Sequence, residues 1–382
     1  MKIVYIIGGI YSANGMSDVM TRKVNWLARH TDYKLHVVLT ERPDLEPFYK
    51  LDSSVEVVNF DIGFDRLDTM PKLRKLLLYN KLQHRYKKKL TDYLMQTKAD
   101  VVVSALRRDI NFLTSIPDGS RKVGELHFAR SSYRVFNSSF IPKAICSCIT
   151  SLWQGQLIKR LRQLSAFVVL THEDAACWQE IENVAVIPNS IRQFPDSTAL
   201  PHSKRIIAAG RYTYQKGFDL LLEAWSQLES QHPDWQLHIF GSGDRTPYQE
   251  MAKRLRLENV ALHGTVDSLQ AEMLKASVFA FSSRFEGFGL VLAEAMSSGL
   301  ACVSFACPCG PADIIDRDGI NGLLVKPNDV EGLASALDKV MSDPDLRLRL
   351  ATEGRTAAQR YSEDFVMQQW VALFEQLRQP AG

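Results

Sequence analysis

The stretch "VFAFSSRFEGFGLVLAEAMSSGLACVSFA", residues 278–306, spells out a strand, a loop, a helix and a second strand in one pass. The run "VFAFSS" is apolar on consecutive positions, "RFEGFG" is bracketed by Gly287 and Gly289, and "LVLAEAMSSG" closes on Gly299, a residue suited to a left-handed helix cap. "LACVSFA" then returns to strand composition. Consecutive apolar strands joined through a helix imply parallel pairing, with both sheet faces covered.

The same pattern extends in both directions. "RIIAAGR", "WQLHIFGSG", "VALHGTV" and "GLLVKP" are the other short apolar runs of the second half. "KIVYIIGG", "KLHVVLTE", "VEVVNF", "ADVVVSA", "RKVGELH", "AFVVLT" and "VAVIPN" are those of the first, with helical segments between them. The turn-rich segment "VIPNSIRQFPDSTALPHSK" separates the two series. The expected fold class is therefore α/β, with two doubly wound Rossmann-like domains facing a cleft. The expected boundaries are 1–195 and 196–360, with 361–382 as a terminal helix packing back towards the first domain. In such sheets ligands bind beyond the carboxyl ends of the strands, so the chemistry is expected there.

Composition limits the function classes. The 382 residues are 46% hydrophobic and 23% charged, ordinary for globular domains. No apolar run approaches the roughly 20 residues that span a bilayer, and the N-terminal "KIVYII" lacks the layout of a signal peptide. The expectation is a cytoplasmic protein, soluble or peripheral on the inner face of the cytoplasmic membrane. Six cysteines in C-x-C and single spacings make neither a disulfide framework nor a zinc site. The net charge of +3 hides an asymmetry: residues 1–195 carry 28 Lys and Arg against 19 Asp and Glu, a net of +9, and the remainder has a net of −6. The halves are expected to meet different partners.

Four groups could carry chemistry. The loop "GGIYSANGMSDV" places Gly8, Gly9 and Gly15 before the first helix, either as a turn or as a phosphate contact; its spacing is not that of a nicotinamide dinucleotide fingerprint. "GRYTYQKGFDLL" puts Arg211 and Lys216 between a strand and a helix, where a guanidinium fork and a point charge suit a diphosphate. Glu286 stands at the helix entrance and Glu294 about two turns in, too far apart for an i, i+4 metal pair but suited to separate contacts on one elongated ligand. A carboxylate within "LVLAEAM" needs hydrogen-bond partners if buried, and ribose hydroxyls would provide them. His127 in "GELHFAR" closes a first-domain strand, either as a sugar contact or as a structural histidine. "DRD", residues 316–318, precedes "GINGLLV" and reads as a surface turn.

On these motifs the sequence closely resembles the retaining glycosyltransferases of family 4, of GT-B architecture. "EGFGLVLAE", "GRYTYQKGFDLL", "IFGSGD", "HGTV" and "VIPNSI" stand in the family's order. "GGIYSANGMSDV", "ELHFAR" and "SFACPCGPADII" resemble enzymes that build bacterial surface polysaccharides. The resemblance implies transfer of a hexose or N-acetylhexosamine from a nucleotide sugar, UDP-linked, to a glycan or lipid-linked glycan acceptor. It implies that Arg211 and Lys216 bind the diphosphate, Glu294 the ribose, and Glu286 with Gly287, Phe288, Gly289 and Leu290 the donor sugar. Gly9 would approach the phosphate, His127 the sugar hydroxyls, and Gly264, Thr265 and Val266 would lie near the base. The nucleotide sugar is a co-substrate; no cofactor and no metal is expected. Relatives often carry Glu-Arg where this chain has Ser17-Asp18. A sugar-nucleotide epimerase, a phosphorylase or a non-catalytic nucleotide-sugar-binding scaffold are the rival functions.

Two segments extend the expectation to a membrane. "PKLRKLLLYNKLQHRYKKK", residues 71–89, carries eight cations and no acid, with Leu73, Leu76, Leu77 and Leu78 interleaved. "FIPKAICSCITSLWQGQLIKRLRQ" adds Ile145, Ile149, Leu152, Trp153 and Leu157 beside Lys159, Arg160 and Arg162. Both match interfacial helices. No nucleic-acid reading motif accompanies the charge, so nucleic acid is not an expected partner.

Overall fold

The computed structural model describes residues 1–11, 15–67, 72–133 and 143–379. The chain divides into two compact units. The first comprises residues 1–170, 174–187 and 367–382, and the second comprises residues 171–173 and 188–366.

The first unit contains β1 (Lys2–Ile6), α1 (Gly15–His30), β2 (Lys34–Leu39), β3 (Glu56–Asn59), α2 (Lys72–Thr97), β4 (Val101–Ser104), β5 (Arg121–Glu125), α3 (Lys143–Leu161), β6 (Ala166–Val169), α4 (His172–Ala176) and β7 (Val184–Val186). Of α4, His172 and Glu173 count with the second unit. The seven strands pair in parallel in the order β3-β2-β1-β4-β5-β6-β7. "VVVS" and "AFVV" are buried at every position, because helices cover both faces of the sheet.

The second unit holds β8 (Arg205–Ala209), α5 (Phe218–Ser226), β9 (Gln236–Phe240), α6 (Thr246–Arg254), β10 (Val260–His263), α7 (Leu269–Met273), β11 (Val278–Phe281), α8 (Leu290–Ser297), β12 (Ala301–Phe305), α9 (Pro311–Ile314), β13 (Leu323–Val325), α10 (Val330–Ser342) and α11 (Pro344–Ala358). Its sheet runs β10-β9-β8-β11-β12-β13, again all parallel. Every strand expected from the sequence is present, and the fold is two Rossmann-like units.

Both strand orders reverse direction beside the first strand. Each sheet therefore has a topological switch point, β1/β4 in one and β8/β11 in the other, where the outgoing loops diverge and leave room for a ligand.

The last helix, α12 (Glu363–Arg378), begins directly after Ser362, and from Met367 onward it belongs to the first unit. Trp370 and Phe374 are fully buried there, and the Tyr33 hydroxyl donates to Glu375 at 2.7 Å.

The basic helix α2 is mainly a core element. Leu82, Tyr86, Leu90 and Leu94 recur every four residues and fill the core under β1 and β4, with Leu78 packed against them. Leu77, by contrast, is 73% exposed. The side chains of Leu73 and Leu76, together with Phe140, Ile141 and Pro142, lie outside the described residues. On α3, Leu157 is buried while Ile145, Leu152 and Trp153 are exposed. No described helix is long and apolar enough to cross a membrane.

Candidate functional site

Two loops leave the switch point of the second sheet. The β8 loop runs through Arg211 and a single 3₁₀ turn, Tyr214–Lys216, before α5; the β11 loop is residues 282–289. They are fastened along their length. Arg284 donates through its backbone amide to the Gln215 carbonyl at 2.8 Å, and its guanidinium grips both Asp219 oxygens at 2.9 and 2.6 Å while lying over the Tyr214 ring. The Ser282 hydroxyl donates to the Lys216 carbonyl at 2.9 Å. Gly217, at φ +60°, is obligatory, since a Cβ there would overlap the Ser282 carbonyl oxygen.

This fastening brings Lys216 and Glu286 together. Lys216 Nζ donates to Glu286 Oε1 at 2.6 Å, with side-chain exposures of only 14% and 9%. The lysine stem lies across Gly210, where any side chain would displace it. The glutamate has two further neighbours: its own amide donates to the Pro308 carbonyl at 3.1 Å, and Gln215 Nε2 lies 3.4 Å from Oε2. Behind it, burial pushes the Cys307 thiol up to about 12, and the Glu286 charge pushes in the same direction. The sequence suggested separate duties for Lys216 and Glu286; the structure pairs them. Arg211, on the same loop, is exposed and has no carboxylate within ion-pair range among the described residues.

Gly287, Phe288 and Gly289 lead into α8, whose first amide groups have no partner within the helix. Phe288 is buried against the Tyr361 ring, and Gly310 lies so close to the Phe288 carbonyl that no side chain fits. Leu290 opens the helix. Glu294 lies about one turn further on, not the two expected from the sequence, because α8 begins only at Leu290, and it is half-buried. Gly299 at φ +78° follows the helix end, as its position in the sequence suggests. Across the sheet, Gly264, Thr265 and Val266 leave β10, with Thr265 and Val266 exposed. The Gly264 carbonyl accepts from Gly241 at 3.2 Å, so "HGTV" and "IFGSG" adjoin.

The "DRD" segment is a turn whose carboxylates serve local contacts. Asp316 pairs with Arg360 at 2.7 Å, and Asp318 accepts from the Leu324 amide at 2.8 Å. Among the described residues no group of three or more His, Cys, Asp or Glu could hold a metal ion.

The remaining site residues belong to the first unit. Gly9 is exposed after β1, and Ser12, Ala13 and Asn14 of its loop lie outside the described residues. A cavity of about 210 Å³ opens at the β1/β4 switch point, with Gly8, Gly9, Ser17, Glu41, Arg107 and Arg108 in its lining. Arg108 stacks on Phe64 at 4.4 Å, and burial raises the Glu41 carboxyl above its ordinary range. Asp18 pairs with Arg22 at 3.1 Å. His127 does not end a strand; β5 stops at Glu125, and His127 follows two residues on. Its side chain is only 5% exposed, Nε2 is 3.3 Å from Glu125 Oε1, and burial holds the ring at about 4, against the Glu125 charge.

Several supporting residues escaped the sequence reading. Arg284 and Asp219 stand inside motifs already singled out, but their pairing spans 65 positions. Lys23 and Glu125 form a buried ion pair 102 positions apart, with no local signal in the sequence.

Residues 190–357 match the family described as glycosyl transferases group 1. An uncharacterized glycosyltransferase of Haemophilus influenzae is 30% identical over 209 residues, which is 53% of this chain and 59% of that protein. The amylovoran biosynthesis glycosyltransferase AmsD of Erwinia amylovora is 32% identical over 184 residues, 48% of this chain and 51% of that one. The matches thus span about half the length of these relatives. A structure of S. aureus TarM in complex with Fondaparinux, alpha-GlcNAc-glycerol and UDP superposes with a TM-score of 0.75 at 15% identity, covering 98% of this chain and 99% of that one. The chain has the GT-B glycosyltransferase fold. Its second unit carries the glycosyl transferases group 1 segment.

Proposed function

We propose that the protein is a retaining glycosyltransferase of family 4 that moves a hexose or N-acetylhexosamine from a UDP-sugar to a glycan acceptor, lipid-linked, in bacterial surface polysaccharide synthesis. The observation that carries this reading is the Lys216–Glu286 pair at the β8/β11 switch point, inside the group 1 segment, with Arg211 beside it on the same loop. The relatives named above support the polysaccharide context, and TarM with UDP supports the choice of nucleotide.

In this proposal the donor lies along the carboxyl edge of the second sheet. β10 and β11 are three strand spacings apart, about 14 Å, which an extended nucleoside diphosphate sugar spans. The base sits by Gly264–Val266 and the ribose on Glu294. The sugar sits on Glu286 and the amides of Gly287, Phe288, Gly289 and Leu290. The diphosphate takes Arg211 and Lys216, whose charges match the one that grows as the glycosidic bond breaks. Gly9 approaches the phosphate and His127 a sugar hydroxyl. Neither glutamate serves as nucleophile; the acceptor attacks from the face the diphosphate leaves, and the departing phosphate oxygen takes its proton. Positive charge comes from side chains and a helix N-terminus, so no metal enters the scheme.

We place the first unit against an anionic membrane surface. The net +9 of residues 1–195 and the exposed Ile145, Leu152 and Trp153 beside cations support this placement. The test of function is transfer of radiolabel from UDP-sugars to an extracted lipid-linked acceptor. Labelled product that vanishes in Arg211→Ala supports the reading. Release of an epimerised free sugar, or tight UDP-sugar binding with no turnover on any acceptor, would replace it with the epimerase or scaffold.

A further inference from the structure

Within the first unit, one polar cluster has no role in the scheme above beyond its outermost member. Lys23 projects from the middle of α1, is 4% exposed, and donates to Glu125 Oε1 at the end of β5. Its ammonium also lies 3.8 Å from the centroid of the Trp370 ring of α12. Glu125 is 1% exposed and stands beside His127, whose Nε2 faces the same carboxylate oxygen at 3.3 Å. Among the described residues four enclosed polar atoms here have no hydrogen-bond partner: Glu125 Oε2, His127 Nε2, Trp370 Nε1 and the Tyr5 hydroxyl.

A lysine–carboxylate pair this deep is costly to place, and replacing it by apolar side chains is often neutral or stabilising. Its presence next to His127 therefore asks for a function. The pair has no net charge whichever partner holds the proton. An unpaired Glu125 would present a full negative charge to the imidazole and favour the charged ring; with Lys23 in place that influence is cancelled at the source. Meanwhile the carboxylate edge stands 3.3 Å from Nε2, near enough for its field to favour the tautomer with the proton on Nε2, although the two do not meet in hydrogen-bond geometry.

We propose that Glu125, clamped by Lys23, is a positioning residue for His127: its carboxylate faces the Nε2–H edge of a neutral ring and leaves Nδ1 to accept a hydrogen bond from a hydroxyl of the transferred sugar. This rests on the reading of His127 as a sugar contact. The other charged or titratable groups facing the cluster include Arg107, after β4, which opposes protonation of the ring, Arg22 of α1, which acts on Lys23, and Tyr5 of β1 with Tyr33 beside it. Burial is the largest cause of the ring's low basicity, Glu125 opposes it, and Lys23 and Arg107 reinforce it. Removing Lys23 thus moves the balance towards imidazolium.

The experiment is ¹⁵N NMR of the full chain, selectively labelled at histidine and assigned with His127→Gln. The expected spectrum shows a neutral Nε2–H ring at pH 7 that titrates far below the ordinary 6.5. Lys23→Met raises the His127 pKa by at least one unit, and kcat acquires an acidic limb at that new pKa while KM for the donor changes less than threefold. Lys23→Met with Glu125→Gln restores a neutral pair, keeps the Nε2–H tautomer and removes the limb; it also carries the test if the single variant does not fold. An Nδ1–H tautomer in the wild type, or an unmoved pKa in Lys23→Met, overturns the proposal. Because the spectra need no donor, they stand apart from the transferase reading. Titration as expected, with a pH–rate profile unchanged, overturns the sugar contact alone.

Discussion

Replacing Lys216 by Met keeps the stem that lies over Gly210 and removes only the charge. The partner left behind, Glu286, is 9% exposed, and its nearest remaining side-chain donor is Gln215 at 3.4 Å. Breaking a fully buried pair costs about 3–5 kcal/mol and an exposed one under about 1. With 14% and 9% exposure, the loss here falls at about 2–3 kcal/mol, a drop in Tm of about 4–12 °C for a unit of this size. The effect on turnover is separate. If Lys216 answers the diphosphate, losing a preorganised cation costs about 2.7–4 kcal/mol of barrier, or about 10²–10³ in kcat. A double-mutant cycle with Glu286→Gln distinguishes the two contributions. The double variant has no stranded charge, so its Tm should return to within about 3 °C of the wild type while kcat/KM stays at least a hundredfold down. The measurements are calorimetric melts and initial rates with labelled donor. If the double variant recovers kcat/KM to within threefold of the wild type, the pair is structural and the diphosphate assignment of Lys216 is wrong.

Glu294→Gln should weaken UDP binding about tenfold with little change in Tm; unchanged affinity by titration calorimetry removes Glu294 from the ribose site. Transfer should survive excess EDTA, and loss of activity restored by Mn²⁺ or Mg²⁺ would show that a metal takes part. Leu152→Glu combined with Lys87→Glu and Lys88→Glu should abolish flotation with anionic vesicles, whereas equal recovery on neutral and anionic vesicles refutes the docking. Lys89 is spared because its ammonium holds the Phe60 carbonyl at 2.6 Å. Burial holds His127 and His238 each at about 4, below the ordinary 6.5. Between those values the unfolded chain binds protons that the folded one does not, so stability is complete above about pH 6.5 and falls as pH drops towards 4. A urea midpoint at pH 5 equal to that at pH 7.5 would contradict this.

The fold was legible because each strand is a short apolar run fully enclosed by helices, which leaves a dense signal in consecutive residues such as "VVVS" and "ACVSF". The loops leaving the switch point of the second sheet were legible for a related reason. A loop at a switch point must carry its own glycines and charges, so Arg211, Lys216, Glu286 and Gly289 are concentrated in two short stretches. What the sequence concealed were pairings between distant positions. The Lys216–Glu286 and Arg284–Asp219 contacts join segments that follow neighbouring strands, between residues 70 and 65 positions apart. Lys23–Glu125 joins a helix to a strand across the sheet, with nothing in "TRKVNW" to mark its lysine as buried. The basic segment was only partly legible, for another reason. Its leucines at 76–78 drew attention, while the inward stripe Leu82, Tyr86, Leu90 and Leu94 begins where the cations are densest.

The return of α12 to the first unit has a consequence for how the chain comes into being. Residues 1–187 leave the ribosome long before Trp370 and Phe374, which fill the core beside Lys23 and Tyr33. At about 5–20 residues per second, translating residues 188–366 takes roughly 9–36 s. For that interval the nascent first unit exposes the face that α12 will cover, and the Lys23–Glu125 pair lies open to water. A premature stop between residues 367 and 370 therefore strips the first unit of both Trp370 and Phe374, leaving an uncovered face that chaperones and proteases would recognise first.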